Sequence, residues 1–189
     1  MHRLTLMLAT ATGLFVAGAA SAQDAHWYVQ GNAGVGFESR LQGSPERRTD
    51  PGWGVGGAAG RDFGNGWRAD GEIVYFSADN NRGQTGSTDV LAGFANVYYD
   101  FLHDTAWRPF IGVGVGGARV QSQGEGSDAG FAYQAKVGVD HPFTDRLTGE
   151  VAYRYIGVTD VKAGSGLSRF YGDYHTHAVT VGLRYAFGR

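Results

Sequence analysis

The stretch that most constrains this chain is residues 177–187, where residue types alternate strictly. After His177 the odd positions, from Val179 to Phe187, are apolar or aromatic, and the even positions are small or polar. Successive side chains of a β-strand point to opposite faces, so this alternation places one face in an apolar environment and the other in a polar one. The pattern is typical of a barrel whose outside faces lipid and whose interior is polar.

The same period of two recurs along the rest of the chain and predicts seven further strands. Each is about as long as the ~9–11 residues that a tilted membrane strand needs. We therefore predict an all-β fold, an eight-stranded antiparallel up-and-down transmembrane barrel. The predicted strands are residues 27–37, 52–63, 67–77, 89–101, 107–120, 130–141, 147–156 and 177–187.

The predicted connections alternate between long and short, as expected for short periplasmic turns and longer loops outside the cell. The long ones are near residues 38–50, 78–88, 121–129 and 157–174, and the short ones near 64–66, 102–106 and 142–146. Aromatic residues fall at both ends of the strands, as in a barrel with two interfacial girdles. A soluble lipocalin-like barrel is the alternative, but it would turn its apolar face inward, whereas here the charged residues share a face with glycines.

The first 22 residues predict a signal peptide that is cleaved, leaving residues 23–189 as the barrel domain. A basic start precedes an apolar stretch from Leu4 to Ala20, and Ala20-Ser21-Ala22 is a small-x-small cleavage site. A retained anchor is the alternative, although the apolar stretch is shorter than the ~20 residues of a spanning helix. The chain has no cysteine and a net charge of −2, which gives no sign of a nucleic-acid partner.

Charged residues of both signs lie on the predicted inner face. Eight strands enclose a lumen just wide enough for side chains to fill, so mixed charges there indicate ion pairs. We favour a static polar core that plugs the barrel, and a narrow ion path gated by a Glu–Arg pair is the alternative. The predicted lumen charge network comprises Arg68, Asp70, Glu72, Lys136, Asp140, Glu150, Arg154 and Arg184.

The last long connection carries aromatic and basic residues together, a combination that forms anchors at binding surfaces. The candidate contacts are Arg169, Phe170, Tyr171 and Tyr174. Adhesion to host or matrix ligands is one interpretation. The alternatives are packing on lipid headgroups or on the barrel rim, with a structural role in envelope integrity.

Catalytic and metal chemistry is weakly indicated. His175 and His177 lie two apart on one predicted lipid-facing strand face. A catalytic pair at that spacing would need a serine nucleophile at the second position, where this chain has His177, so the nucleophile is missing. Ser165 and Ser168 stand in the last long connection, and only Asp173 is a further potential metal ligand nearby. Glycines at 112, 114 and 116 lie inside a strand and do not open a helix, which excludes a nucleotide-binding loop. We predict no catalytic residues, no metal and no cofactor.

Several runs of the chain together resemble the small outer-membrane β-barrel superfamily, which includes OmpA/OmpX-type barrels and opacity-type surface proteins and is often called a porin family. The runs are residues 64–67, 96–101, 108–116, 144–147 and 182–187. The resemblance implies an eight-stranded barrel in the bacterial outer membrane, without fixed catalytic residues. The peptidoglycan-binding domain of some members is absent from the chain, so we expect no tether to the cell wall.

The closing stretch resembles the C-terminal signal that the barrel-assembly machinery recognises. Its elements are Thr180, Gly182, Tyr185 and Phe187, although two residues follow the final aromatic one. The expected partners are outer-membrane lipid and lipopolysaccharide, the assembly machinery, and host or matrix ligands at the loops. The expected function is structural or surface-interacting; a narrow ion-conducting pore is the alternative, and a lipid-modifying enzyme is the third possibility.

Overall fold

The computed structural model describes residues 25–41, 52–79, 87–102, 105–122, 126–163 and 170–188. They form eight strands, and each strand coincides with a stretch of alternating residue types. In chain order the strands are β1 His26–Leu41, β2 Gly52–Asp62, β3 Trp67–Asp79, β4 Ser87–Asp100, β5 Arg108–Ser122, β6 Gly126–Pro142, β7 Leu147–Ala163 and β8 Phe170–Phe187.

The sheet is a closed barrel in which every strand pairs antiparallel with its neighbours in sequence, and β1 pairs with β8. The closing seam runs from Trp27 opposite Phe187 to Leu41 opposite Tyr174. Closure leaves no free sheet edge, which a barrel in lipid requires because unpaired backbone groups there are costly. The predicted fold class is confirmed. The described residues contain no helix of the length and apolarity that a membrane span needs.

The strands reach further at the outer end of the barrel than predicted, and the predicted loop at 157–174 is wrong. β7 continues to Ala163 and β8 begins at Phe170, so the connection is residues 164–169. The prediction stopped early because the alternation breaks where the β7–β8 register shifts between Val158 and Val161. A register irregularity moves side chains to the other face, which ends a period-two pattern without ending the strand.

The outside of the barrel is apolar, with aromatic residues near both ends of the strands. Ile73 and Val113 in its middle are each 66% exposed, which is the expected position for residues that contact lipid tails. Exposed aromatic residues near the short turns are Trp27, Trp67, Phe101, Trp107, Phe143, Tyr185 and Phe187, and near the outer ends Trp53, Phe131 and Tyr153.

The inside of the barrel has two parts, whereas the sequence pattern predicts a polar interior only. Near the short turns most of the buried side chains are polar or charged, and Tyr98, Phe110 and Ala152 form a small buried cluster among them. Towards the outer end the buried side chains are mainly apolar and form one cluster. Its members are Val74, Val90, Ala92, Phe94, Ala118, Ala132, Ile156 and Val158, with the partly buried Phe76 packed against them.

Candidate functional site in the barrel interior

Glu72 on β3 is the centre of a side-chain cluster that crosses the lumen. It is 2% exposed. Its Oε2 accepts hydrogen bonds from Lys136 Nζ on β6 at 2.9 Å and from Gln134 Nε2 at 2.9 Å. Its Oε1 accepts from Asn32 Nδ2 on β1 at 3.0 Å and from an Nη2 proton of Arg154 on β7. Since these donors come from strands around the barrel, one carboxylate ties the wall together across its middle.

Asn96 and Asp70 extend this cluster towards β1. Asn96 Nδ2 donates to Asp70 Oδ1 at 2.7 Å and to Glu72 Oε2 at 3.2 Å. The Tyr28 hydroxyl donates to Asp70 Oδ2 at 2.9 Å. Asp70 is therefore held by neutral donors in these bonds, while Glu72 is paired with two cations, Lys136 and Arg154.

A second ion-pair group lies nearer the short turns. Arg68 forms a bidentate pair with Asp100, with nitrogen–oxygen distances of 2.7 and 2.8 Å. Arg68 Nη2 also lies 3.6 Å from Asp140, which is paired with Arg184. Arg184 Nη1 lies 4.0 Å from Glu150. All these residues are buried, so each charge depends on its partners for the solvation that water would otherwise provide.

Aromatic rings pack on the cations of this second group. The Arg68 guanidinium lies 4.8 Å from the Tyr98 ring centre and 5.3 Å from that of Phe110. The Arg184 guanidinium lies 5.5 Å from the Tyr28 ring centre. A desolvated cation over a ring face gains roughly 2 kcal/mol or more, so these rings support the arginines as well as filling the lumen.

All eight residues predicted for the lumen charge network are buried in the barrel interior. The Glu72 cluster and the second ion-pair group together contain all eight. The prediction left out the neutral and acidic members that connect these charges. These are Tyr28, Asn32, Asn96, Tyr98, Asp100 and Gln134, and all have the inward parity that identified the charges.

The four elements of the closing signal lie in β8. Thr180 is buried and its hydroxyl donates to the Ala152 carbonyl at 3.4 Å. Tyr185 and Phe187 face outward, with ring centres 5.1 Å apart. Gly182 pairs in register with Asn32 of β1 and Glu150 of β7. At this end of β8 the outward face is therefore aromatic, and the inward face carries small and polar residues.

Three of the four candidate surface contacts lie in a β-strand, whereas the sequence predicted that they lie in a loop. Phe170, Tyr171 and Tyr174 belong to β8 and pair with Ala163, Lys162 and Val158 of β7. Arg169 lies outside the described residues. The predicted signal peptide, residues 1–22, also lies outside them.

The two histidines of β8 are engaged by tyrosines on the outer wall. The Tyr155 hydroxyl lies 2.7 Å from His175 Nδ1, and their rings stack at 5.7 Å. The Tyr153 hydroxyl lies 2.5 Å from His177 Nδ1. Among the described residues no group of three or more His, Cys, Asp or Glu side chains is arranged to hold a metal ion.

A closed antiparallel barrel of eight strands, with an apolar exterior and an ion-paired interior, defines the class of bacterial outer-membrane β-barrel proteins. The sequence places this protein within that class. The chain belongs to the outer membrane protein beta-barrel domain family, whose sequence model matches residues 6–187. Its location is the bacterial outer membrane.

Two curated relatives are outer membrane proteins. One, from Gluconacetobacter diazotrophicus, is 33% identical over 185 residues, covering 76% of this chain and 49% of the relative. The other, PagN of Salmonella typhimurium, is 31% identical over 94 residues, covering 43% of this chain and 38% of the relative. The chain therefore spans about half, or less, of the length of the curated relatives it matches.

Solved structures share the fold at low sequence identity. Neisserial surface protein A is 18% identical with a TM-score of 0.67, covering 86% of this chain and 99% of its own. OprG of Pseudomonas aeruginosa is 14% identical with a TM-score of 0.56, covering 87% and 96%. The outer membrane enzyme PagL is 16% identical with a TM-score of 0.55, covering 81% and 97%.

Proposed function

We propose that this outer-membrane barrel does not conduct solutes and serves a structural or surface-interaction role, in which its outer hairpins contact a host or matrix ligand. The Glu72 cluster carries the first part of this proposal. Its hydrogen bonds join β1, β3, β4, β6 and β7 across the lumen at one level. A solute entering from outside therefore meets bonded side chains.

The length of the outer strands supports the second part. β7 has 17 residues and β8 has 18, against the roughly 9–11 that a membrane strand needs. Because a strand rises about 3.3 Å per residue, several residues of each strand stand beyond the lipid. The backbone positions of Phe170, Tyr171 and Tyr174 belong to this projecting part of β8, so these residues remain our candidates for contact.

Two measurements test the two parts separately. In planar bilayers the full-length protein is expected to give no stable openings, and openings wide enough for sugars would overturn the closed-barrel proposal. For binding, residues 164–171 are replaced by Asn-Gly and adhesion of expressing cells to host cells or a matrix-coated surface is measured. The matched control shortens the β5–β6 hairpin at residues 123–125. Adhesion that is equal in both variants and the parent would overturn the role of the β7–β8 hairpin.

A narrow ion path is the second candidate function, and unpaired buried nitrogens favour it. Within the described part of the chain, Nε and Nη1 of Arg154, Nη1 of Arg68 and Nη1 of Arg184 find no hydrogen-bond partner. Polar atoms of this kind line paths along which water and small ions move. If the path exists, the Glu72–Arg154 pair is its constriction, and E72Q changes the conductance or ion selectivity of small openings, whereas a plugged barrel shows none.

An enzymatic role is the third candidate, and we propose that the protein has none. His175 and His177 have tyrosine hydroxyls at their Nδ1 atoms, and the strand offers no serine at the matching spacing. PagL, which shares the fold, is an enzyme. The fold alone therefore does not decide whether this protein has enzymatic activity, and an experiment is needed. Lipid A mass profiles from cells with and without the protein are expected to be the same, and a lost or added acyl chain would overturn this proposal.

A further inference from the structure

A polar pocket lies at the short-turn end of the barrel, next to the second ion-pair group. Its lining consists of three arginines, two aspartates, two threonines and one histidine, together with Pro142 and Ala186. The arginines are Arg108 at the start of β5, Arg184 near the end of β8 and Arg146 in the turn between β6 and β7. The pocket has a volume of about 360 Å³, adjoining solvent included. Three guanidinium groups from three parts of the chain therefore meet around one space.

Two of these arginines have buried nitrogen atoms that the described part of the chain does not satisfy. Nε of Arg108 and Nη1 of Arg184 have no hydrogen-bond partner there. Arg184 is 8% exposed. Its Nη2 is paired with Asp140, whereas its Nη1 lies 4.0 Å from Glu150, beyond hydrogen-bond distance. A buried N–H group without an acceptor is unfavourable, so both nitrogens favour the binding of a ligand that brings acceptor oxygens.

The turn that carries Arg146 is fixed in place by hydrogen bonds. The Thr144 hydroxyl accepts from the backbone N–H groups of Arg146 at 3.2 Å and Leu147 at 3.0 Å. The Arg146 carbonyl accepts from the Ala186 N–H of β8 at 2.8 Å. The turn is thus held against the end of β8, two residues after Arg184. Thr144 and Arg146 are exposed, so an anion from solution reaches the pocket at this turn.

The acidic residues of the lining have partners of their own. Asp62 Oδ2 lies 4.0 Å from His26 Nε2, and its Oδ1 accepts a hydrogen bond from the Gly64 N–H at 2.8 Å. Asp145 also has an interaction partner. The lining therefore has three guanidinium groups against two engaged carboxylates, and its charge favours an anionic ligand.

The arrangement of the arginines favours phosphate among small anions. A guanidinium presents its donors in a planar fork that matches two oxygens of a carboxylate or a phosphate. A carboxylate has two oxygens in one plane and suits a single fork. A phosphate group has oxygens in several directions and suits forks that approach from different strands. We propose that the pocket binds a phosphate group through the guanidinium groups of Arg108, Arg146 and Arg184.

The phosphate group belongs to a small soluble anion of the periplasm or to the headgroup of an inner-leaflet lipid. The soluble anion is favoured because Pro142 and Ala186 are the only apolar residues that the described lining offers to an acyl chain. The pocket lies on the short-turn side of the Glu72 cluster, so binding here requires no passage through the lumen.

The test uses the full-length protein with ¹⁵N-labelled arginine, folded in a non-ionic detergent that contains no phosphate. Inorganic phosphate is the first probe, added at constant ionic strength. The Nε–H signal of Arg108 is expected to shift saturably. The signal of Arg61, whose guanidinium lies 5.5 Å from the ring centre of the exposed Trp27, is expected to stay unchanged. An equal shift of the Arg108 signal with chloride or acetate would overturn the proposal.

A second titration distinguishes the two sources of the phosphate group. Dihexanoyl phosphatidylglycerol, added below its micelle concentration, carries phosphate as a lipid headgroup. We expect it to bind at least tenfold more weakly than inorganic phosphate. Tighter binding of the lipid would identify a headgroup as the source and still support a phosphate site. No saturable shift of the Arg108 signal with either probe would overturn the proposal.

A matched pair of variants locates the bound phosphate. R108Q removes a guanidinium group from the pocket, whereas R61Q removes one that packs on Trp27 outside it. Binding measured by calorimetry is expected to weaken at least tenfold in R108Q and to stay within twofold in R61Q. Equal binding in R108Q and the parent, or equal losses in both variants, would overturn the proposal.

A second variant is available if R108Q does not assemble, as judged by heat-modifiable gel mobility. Arg146 is exposed, and its hydrogen bonds to Thr144 and Ala186 are made by its backbone, so R146Q is expected to assemble normally. Phosphate binding is expected to weaken severalfold. Binding to assembled R146Q that is as tight as in the parent would contradict the proposed site.

Discussion

Glu72 and Lys136 meet across the lumen, with the Oε2 of Glu72 2.9 Å from the Nζ of Lys136. Their strands, β3 and β6, are not neighbours in the barrel. The bond therefore connects parts of the wall that share no backbone hydrogen bonds. Both side chains are almost fully buried, so water competes little for this ion pair. Loss of the pair should therefore destabilise the barrel.

The first prediction concerns this pair. E72Q keeps the size of the side chain and removes its charge, which leaves Lys136 and Arg154 buried without their carboxylate. Breaking a buried pair in this way typically costs about 3–5 kcal/mol, and we expect a loss of that order in the free energy of unfolding. Urea titration in lipid vesicles, followed by heat-modifiable gel mobility, measures it.

The control for E72Q is D145N in the exposed turn between β6 and β7, which is expected to cost less than about 1 kcal/mol. The double variant E72Q/K136M removes one stranded charge and should recover part of the loss. Equal stability of E72Q and the parent would show that the cluster does not hold the wall together.

The second prediction concerns how closely the interior is packed. A Cβ at Gly112 would overlap the ring of Tyr98, which packs against Phe110 with ring centres 6.0 Å apart. G112A should therefore destabilise the barrel by about 1–3 kcal/mol, as overpacking does. Gly71 has no atom within 4 Å of such a Cβ, so G71A is the matched control. The same unfolding titration compares them, and G112A as stable as G71A would contradict the packing of Tyr98.

The third prediction places the bilayer. Val113 lies in the middle of the exposed apolar band, whereas Val29 lies two residues from Trp27 near the short-turn end. V113R is expected to cost about 2–4 kcal/mol of folding free energy, and V29R about 0–1 kcal/mol, because the cost of a lipid-facing arginine depends on its depth. Reversible refolding into vesicles measures both. Equal costs would move the bilayer midplane away from Val113.

The fourth prediction separates assembly from stability. If the aromatic end of β8 is read by the assembly machinery, F187A should lower the amount of assembled barrel in cells severalfold. Refolding of purified F187A into vesicles should stay close to that of the parent. L183A, on the same exposed face of β8, is the control with normal assembly in cells. Normal cellular levels of F187A would contradict the proposed signal.

Much of the fold was predictable because a strand has only two faces. The even parity of Arg68, Glu72 and Lys136 predicts their inward direction, and the odd parity of Val113 predicts its lipid contact. Parity also identifies Val74 and Ile156 as inward-facing, but a search for interior charges passes over them. The apolar cluster in the outer half of the lumen was thus present in the pattern and was missed because the interior was expected to be polar.

Two features were beyond a period-two pattern. The extension of β7 and β8 follows a register shift after Val158, where the alternation no longer marks the strand. The partners within the lumen depend on the stagger between strands, which decides that Glu72 meets Lys136 and Arg154 while Arg68 meets Asp100. Side-chain direction follows from the sequence of one strand, whereas partner choice requires the relative heights of several.

The seam between β1 and β8 has a consequence for the order of events during biogenesis. It joins the two described strands that are farthest apart in sequence. Until it forms, each carries a row of backbone donors and acceptors that hydrocarbon cannot solvate. A partly built sheet is therefore a poor resident of the bilayer, and insertion has to wait for, or coincide with, the arrival of β8 beside β1. Delaying that last strand should leave the chain on the periplasmic side and open to periplasmic proteases.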